Sequence, residues 1–427
     1  MNIRITPTRL HGSVVVPSSK SIGHRELICA ALAQGESVVE NISVSQDIEA
    51  TCRLLQAFGA SIEEIPSAYE GRTAYRVKGG LTKQGEALTV DCGESGSTLR
   101  FLIPIGLYSG NTVVYTGRGQ LVKRPLEPYY RIFDEHGVSY KPTEGGLPLT
   151  VEGCLQPGRY ALAGDVSSQF FTGLLVMLPL LDGDSVLEST TPLESLSYVT
   201  MTLDCMARHG VDVQWDGGRL FHIPGNQQYM AGTYAVEGDY SQAAFWLAAG
   251  TLGHPVECLG LRHSSSQGDE VIVSILQRMG AVIGQTDSIA AHPAQLTGQV
   301  IDVEDCPDLV PILAVAASCG QGTTHIVHGA RVRLKECDRL HAIATELNKI
   351  GGCVEEEPDG LIIRGVGALT GGRVSGWNDH RIAMALAIAS QRCSGELIIE
   401  GAECVRKSYP DFWQDFAKLG GIYRVEE

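Results

Sequence analysis

One pattern returns six times along this chain and limits what it can fold into: an amphipathic helix, a glycine, then a short strand. The junctions are Phe58-Gly59-Ala60, His136-Gly137-Val138, His209-Gly210-Val211, Met279-Gly280-Ala281, Ile350-Gly351-Gly352 and Leu419-Gly420-Gly421. They fall about 70 residues apart, the size of a small α/β unit. Leu340, Ile343, Leu347 and Ile350 share one helix face, as do Ile48, Cys52 and Leu55. The glycine supplies the left-handed cap that ends each helix.

A second helix type alternates with the first. Its six polar starts are Ser19-Lys20-Ser21, Ser95-Gly96-Ser97, Ser167-Ser168-Gln169, Asp239-Tyr240-Ser241, Pro307-Asp308-Leu309 and Asn378-Asp379-His380. The bodies are apolar on every side, as in Ala314-Val315-Ala316-Ala317 and Ala383-Met384-Ala385-Leu386-Ala387. A helix of that kind is buried. Each is followed by a glycine-bearing turn and a β-branched stretch. Six such units predict two α/β domains of three units with threefold pseudosymmetry. A solenoid of identical repeats is disfavoured, because the intervening sequences diverge and no capping repeats occur.

The chain's 427 residues suit two domains of roughly 200 residues. An apolar fraction of 44% with 19% charged residues predicts globular packing throughout. The formal net charge of -16 argues against nucleic acid as a partner, although an acidic protein can hold a local basic pocket. The N-terminus, Met1-Asn2-Ile3-Arg4-Ile5-Thr6, alternates like a strand and lacks a signal-peptide core. The longest apolar run, Phe170 to Leu181, is broken by Gly173 and Pro179 and is too short to span a bilayer. A soluble, cytoplasmic protein with no membrane partner is expected. Twelve scattered Cys without a Cys-x-x-Cys pair read as reduced thiols. No His/Cys cluster has zinc spacing and no metal site is expected. Neither a Gly-x-Gly-x-x-Gly after a strand nor a Gly-x-x-x-x-Gly-Lys-[ST] loop is present, so nucleotide folds of those types are unsupported.

Residues with obvious chemistry gather at the polar starts of the buried helices. A helix start offers unpaired N–H groups and about half a positive charge, which makes it an anion site. The cations agree: Lys20, Arg25, Arg100, Arg124, Lys335, Arg339, Arg381 and Lys407 all lie in or near such segments. A single Lys or Arg usually sits solvated on the surface. Four of these eight (Lys20, Arg25, Arg100 and Arg381) fall within the first turn or two of a helix predicted to be buried. Ser and Asp at the starts also read simply as helix caps.

Together the motifs Ser19-Lys20-Ser21 with Arg25, Gly93-x-x-Gly96-Ser97 with Arg100, Lys123-Arg124-Pro125, Ser167-Ser168-Gln169, Lys335-Glu336-x-Asp338-Arg339-Leu340, Asn378-Asp379-His380-Arg381 and Lys407-Ser408-Tyr409-Pro410 resemble one family. It is the 5-enolpyruvylshikimate-3-phosphate synthase (3-phosphoshikimate 1-carboxyvinyltransferase) family, and the motifs occur in its order across nearly the whole chain. The resemblance implies a two-domain, inside-out α/β barrel fold with three βαβαββ-type units and buried parallel helices in each domain. It implies that the chain crosses between domains twice. The expected division is 1–18 with 237–427 and, inserted, 19–236, with the active site in the cleft between them. The implied reaction moves the enolpyruvyl group of phosphoenolpyruvate to the 5-hydroxyl of shikimate 3-phosphate, in the biosynthesis of chorismate and the aromatic amino acids. A monomer is expected.

By the same resemblance, Lys20, Ser21, Arg25, Ser167, Ser168, Gln169, Ser195, Asp308 and Lys335 would contact shikimate 3-phosphate. Lys20, Gly96, Arg124, Gln169, Arg339, Arg381 and Lys407 would contact phosphoenolpyruvate. Arg100, Arg331, Asp379 and His380 would support them. The two substrates carry roughly six negative charges near neutral pH, which eight cations and converging helix starts can offset. The reaction is an addition followed by an elimination through a tetrahedral ketal phosphate and needs no metal or organic cofactor. Asp308 is the candidate base at the 5-hydroxyl, Glu336 the candidate for the proton at C3, and Lys20 a candidate acid at the bridging oxygen. The plainer readings are a helix cap for Asp308 and a salt-bridge partner of Arg339 for Glu336. Gly96 would border the phosphoenolpyruvate pocket, so inhibition by glyphosate is expected.

Two positions depart from the commoner family pattern: Glu94 and Arg331 stand where many members have Asn. The sister transferase acting on UDP-N-acetylglucosamine typically uses a Cys in a loop of the first domain, and no Cys lies between Ser109 and Pro125 here. An inactive anion-binding relative would have lost the acid and base residues before the cations, yet Asp308 and Glu336 are both present.

Overall fold

The computed structural model describes residues 1–69, 71–81, 87–143 and 146–426. Alternation of all-apolar and amphipathic segments becomes a mixed α/β fold in two compact units. One comprises Met1–Pro17 with Glu237–Glu427, the other Ser18–Val236. The second unit holds helices α1 (Lys20–Leu32), α2 (Gln46–Ala57), α3 (Gly96–Tyr108), α4 (Glu127–His136), α5 (Ser168–Met177) and α6 (Leu196–Arg208). The first holds α7 (Tyr240–Leu252), α8 (Ile272–Arg278), α9 (Val310–Ser318), α10 (Arg339–Lys349), α11 (His380–Ala389) and α12 (Phe412–Lys418).

Odd-numbered helices are the apolar ones. Every residue of α9 and α11 is buried, and α7 leaves only Ser241 partly open. In one unit α7, α9 and α11 pack on each other, and in the other α3 packs on α5. Each fully buried Leu, Ile or Phe in these helices contributes about 1.5–3 kcal/mol relative to exposure. Even-numbered helices are amphipathic: α10 buries Leu340, Ile343 and Leu347 and exposes His341, Asn348 and Lys349. The six glycines that follow the even-numbered helices have φ between 69° and 109°. That is left-handed backbone, where a Cβ is strained.

Six four-stranded sheets lie among the described residues, three per unit, and all share one order. A parallel pair forms one edge and two antiparallel neighbours follow. In the simplest case Leu88–Asp91 runs into α3, Val113–Thr116 returns parallel to it, and Ser139–Thr143 after α4 pairs with Gly146–Glu152. Two sheets draw strands from distant parts of the chain. Gly12–Val15 pairs with Val256–Leu259, and Thr233–Ala235 pairs with Glu36–Ile42. A third sheet takes Asn2–Thr6 between Leu397–Glu400 and Ile422–Glu426. Among the described residues no helix is long and apolar enough to cross a membrane.

Candidate active site

Five of the six buried helices begin on a side-chain cap. Ser19, Ser95, Ser167, Asp239 and Asp379 accept from the backbone N–H of Ile22, Thr98, Gln169, Gln242 and Arg381, at 3.4, 3.2, 3.3, 3.1 and 2.8 Å. Each cap satisfies one of the orphan donors of its helix start. The sixth start differs. Pro307–Leu309 is a 3-10 turn leading into α9, and neither segment is capped by a side chain. Asp308 is therefore not the cap that its position suggests.

Instead its carboxylate meets cations from three other segments. Oδ1 accepts from Arg339 Nη1 at 2.7 Å and lies 3.5 Å from Lys335 Nζ, while Oδ2 accepts from Arg381 Nη2 at 2.8 Å. Burial opposes its ionisation, but Arg381, Lys335 and Arg339 outweigh that and hold the carboxyl well below the usual range. Arg339 is 1% exposed and acts as the hub. Besides Asp308 it donates to Glu336 Oε2 at 2.6 Å and to Asp379 at 2.7 Å through Nε and 3.3 Å through Nη2. Burial works against its charge, yet Asp379, Glu336 and Asp308 raise its pKa well above the ordinary value. Lys335 shows the reverse balance: burial, with Arg339 and Arg331 adding to it, lowers its pKa despite Asp308 and Glu336. Lys407 is buried and donates to the carbonyl of Asn378 at 2.6 Å, which draws it to the same helix start as Asp379 and the buried His380. Asp308, Lys335, Glu336, Arg339, Asp379, Arg381 and Lys407 thus form one cluster.

The inserted unit gathers a second set. Arg100, over the ring of Phe170 at 4.9 Å, donates to Gln169 Oε1 at 2.8 Å and to the Pro125 carbonyl at 3.1 Å. Gln169 Nε2 in turn donates to Ser97 Oγ at 3.0 Å. Close approach of α3 and α5 is what brings these groups together, and Gly173 permits it: a Cβ there would run into Tyr129 Oη and the Arg100 carbonyl. Gly96 lies beside the same group. A Cβ on it would stand 2.6 Å from Arg124 Nη1 and 3.4 Å from Gln169 Oε1.

At the start of α1, Lys20 Nζ donates to Asp47 Oδ2 at 2.8 Å. Arg25 is buried and directed at its own unit: Nε donates to Thr202 Oγ1, Nη1 to the Ser21 carbonyl, and Nη2 to Thr172 Oγ1 and the Tyr198 carbonyl. Burial lowers its pKa to about 10. Ser168 is buried at the first turn of α5, and Ser195 is buried with φ 54° immediately before α6. Of the two unusual positions, Glu94 lies against Gly119, and Arg331 donates to the Glu304 carbonyl at 2.9 Å. The twelve Cys are all free. Away from these clusters Asp302, Glu304 and His328 bring ligand-type atoms within 4.8 Å of one another at the surface, where His328 Nδ1 already pairs with Asp302 at 2.9 Å.

Sequence reasoning did not find Asp47 as the partner of Lys20, nor Asp269, which is buried at 3% exposure beside α7. Both are acids near the beginning of a helical segment, where a solvated first-turn carboxylate is the ordinary expectation. Only the pairing of segments distant in sequence distinguishes them.

Buried guanidinium groups tied to carboxylates, an ammonium beside them and capped helix starts, carried on a mixed α/β fold, are groups of the kind that bind anions. Comparisons with known proteins show the family. The family model described as EPSP synthase (3-phosphoshikimate 1-carboxyvinyltransferase) matches residues 5–416. The protein called 3-phosphoshikimate 1-carboxyvinyltransferase in Clostridium kluyveri is 51% identical over 420 residues, covering 98% of this chain and 97% of the relative. Its namesake in Clostridioides difficile is 45% identical over 433 residues, covering 100% and 98%. A solved EPSP synthase from Acinetobacter baumannii superposes with a TM-score of 0.83 at 26% identity, covering 100% of both chains. This chain belongs to the EPSP synthase family.

Proposed function

We propose that the protein transfers the enolpyruvyl group of phosphoenolpyruvate to the 5-hydroxyl of shikimate 3-phosphate, releasing phosphate. The observation that carries this reading is the Asp308 carboxylate, kept ionised between Arg339, Arg381 and Lys335 with Glu336 on the same guanidinium. A base surrounded by cations is what an alcohol attacking a polyanion requires. The cations hold the anionic substrate, and the base accepts the proton of the hydroxyl.

In this reading Asp308 takes the 5-hydroxyl proton as oxygen attacks C2, and Glu336 delivers a proton to C3, giving the tetrahedral ketal phosphate. Loss of phosphate and of a methyl proton then yields the product. Lys20 assists the departing bridging oxygen. Arg124, Arg339, Arg381 and Lys407, with Gln169 and Gly96, hold phosphoenolpyruvate. Ser21, Arg25, Ser167, Ser168, Ser195 and Lys335 hold shikimate 3-phosphate, and Arg100, Arg331, Asp379 and His380 position them. The repeated sheet order supports an inside-out α/β barrel of three βαβαββ units per domain with parallel buried helices. The protein acts as a cytoplasmic monomer in the route to chorismate and the aromatic amino acids.

The deciding measurement is phosphate release from phosphoenolpyruvate. Release that depends on shikimate 3-phosphate is expected, and its absence, or dependence on UDP-N-acetylglucosamine instead, would overturn the reading. Glyphosate is expected to inhibit by competing with phosphoenolpyruvate. Gly96→Ala adds a Cβ 2.6 Å from Arg124 Nη1, so that guanidinium must move. Its KM for phosphoenolpyruvate is expected to rise by on the order of tenfold or more, with weaker glyphosate inhibition. Unchanged values for both would remove Gly96 and Arg124 from the pocket.

A further inference from the structure

Asp269 is a buried carboxylate that the scheme above leaves unused. It sits in the 3-10 turn Gly268–Val271 ahead of α8 and is 3% exposed. Its Oδ2 accepts from the hydroxyl of Ser241 in the first turn of α7. Its Oδ1 is equally buried and has no hydrogen-bond partner. Among the described residues no Lys, Arg or His comes within 4.0 Å of either oxygen. A bare carboxylate in such a place is costly, and the group lowers that cost by keeping its proton.

The surroundings make the proton consequential. Helix α7 packs against both the Asp269 turn and the Pro307–Leu309 turn that carries Asp308. Asp308, Arg381 and Asp239, from the α9, α11 and α7 starts, act on Asp269, and the buried thiol of Cys306, ahead of α9, is pushed up by burial and then by Asp269. Burial and then Asp308 push its pKa up to about 7, against the opposing pull of Arg381 and the Ser241 hydroxyl, with Asp239 adding to the rise.

We infer that Asp269 is a positioning residue that works by holding a proton, leaving the charge of Arg381 available to an incoming anion while Asp308 alone stays ionised as the base. This rests on the proposed roles of Asp308 and Arg381. Once Asp269 ionises, a second negative charge acts on Arg381 from beyond contact distance, and the site loses attraction for phosphoenolpyruvate. The effect falls on binding more than on the chemical step, because Asp269 touches no reacting atom.

The test compares the pH dependence of KM and kcat for phosphoenolpyruvate in the wild type and in Asp269→Asn, with thermal unfolding of both. Titration of the substrate phosphate is common to both proteins and cancels in the ratio. The wild-type KM is expected to rise relative to the variant by about 3- to 30-fold through pH 7, with the kcat ratio flat. Parallel KM curves would overturn the inference. A folded state that holds a proton up to about pH 7, when the unfolded chain releases it near 4, loses stability as pH rises between those values. Asn has no such proton, so its Tm is expected to gain on the wild type over that window, and a constant Tm difference would also count against the idea. If neither protein releases phosphate, the assigned reaction fails, while the Tm difference still tests the proton. Should Asp269→Asn not fold, Ser241→Ala serves. It removes a donor that favours the ionised form, so the midpoint of the KM rise is expected to move to higher pH, and an unmoved midpoint would overturn the inference.

Discussion

Asp308→Asn is expected to lower kcat by about 10²–10⁴-fold while the protein still binds shikimate 3-phosphate. Both carboxylate oxygens accept from cations, Oδ1 from Arg339 with Lys335 nearby and Oδ2 from Arg381. Asn can reproduce only one acceptor, and its amide would point donors at a guanidinium. The base is lost, but the net positive charge of the cluster increases by one. Anion binding is therefore expected to hold steady or tighten even as turnover collapses. Steady-state kinetics with calorimetric titration of shikimate 3-phosphate separates the two. A kcat within about tenfold of the wild type would show that another group accepts the hydroxyl proton.

Asp379→Ala is expected to be the most destabilising single change in the cluster. The side chain is fully buried and accepts from Arg339 Nε, Arg339 Nη2 and the backbone N–H of Arg381, and from Cys337 Sγ at 3.5 Å. Removing it strands part of a buried guanidinium, which costs about 3–5 kcal/mol. It also uncaps α11, for about 0.5–2 kcal/mol more. Urea unfolding, monitored where the unit containing α11 melts, measures the sum. Ser167→Ala, which removes a cap but no charge partner in the inserted unit, is the control, followed where that unit melts, and is expected to cost only the smaller amount. Equal losses in the two variants would mean that Asp379 serves as a cap and nothing more.

The architecture was legible because it rests on local rules repeated six times. A glycine after an amphipathic helix and a polar start before an all-apolar one each have a mechanism that acts within a turn of the chain. Asp239, Ser95 and Asp379 are caps for that reason. The candidate site residues were singled out only through motifs, since each cation taken alone reads as a surface charge. Most of what Arg25 touches could not be read: Thr172, Tyr198 and Thr202 lie on other helices, and nothing near residue 25 encodes them. Glu336 is bonded to Arg339, as the plainer reading of its spacing anticipates. Asp308 is not the helix cap of its plainer reading, because three residues of 3-10 turn replace the capped start found at the other five helices.

The sheet that takes in Asn2–Thr6 has an implication for synthesis. Arg4 hydrogen-bonds to Glu426, a partner 422 positions away, and that strand waits unpaired until Leu397–Glu400 and Ile422–Glu426 have been made. The unit spanning Ser18–Val236 has no such dependence, since all its strands lie within its own boundaries. On a ribosome the inserted unit is complete while all of its companion beyond Met1–Pro17 is still unwritten, so vectorial synthesis favours an order in which the middle of the gene product folds first and its two ends meet last.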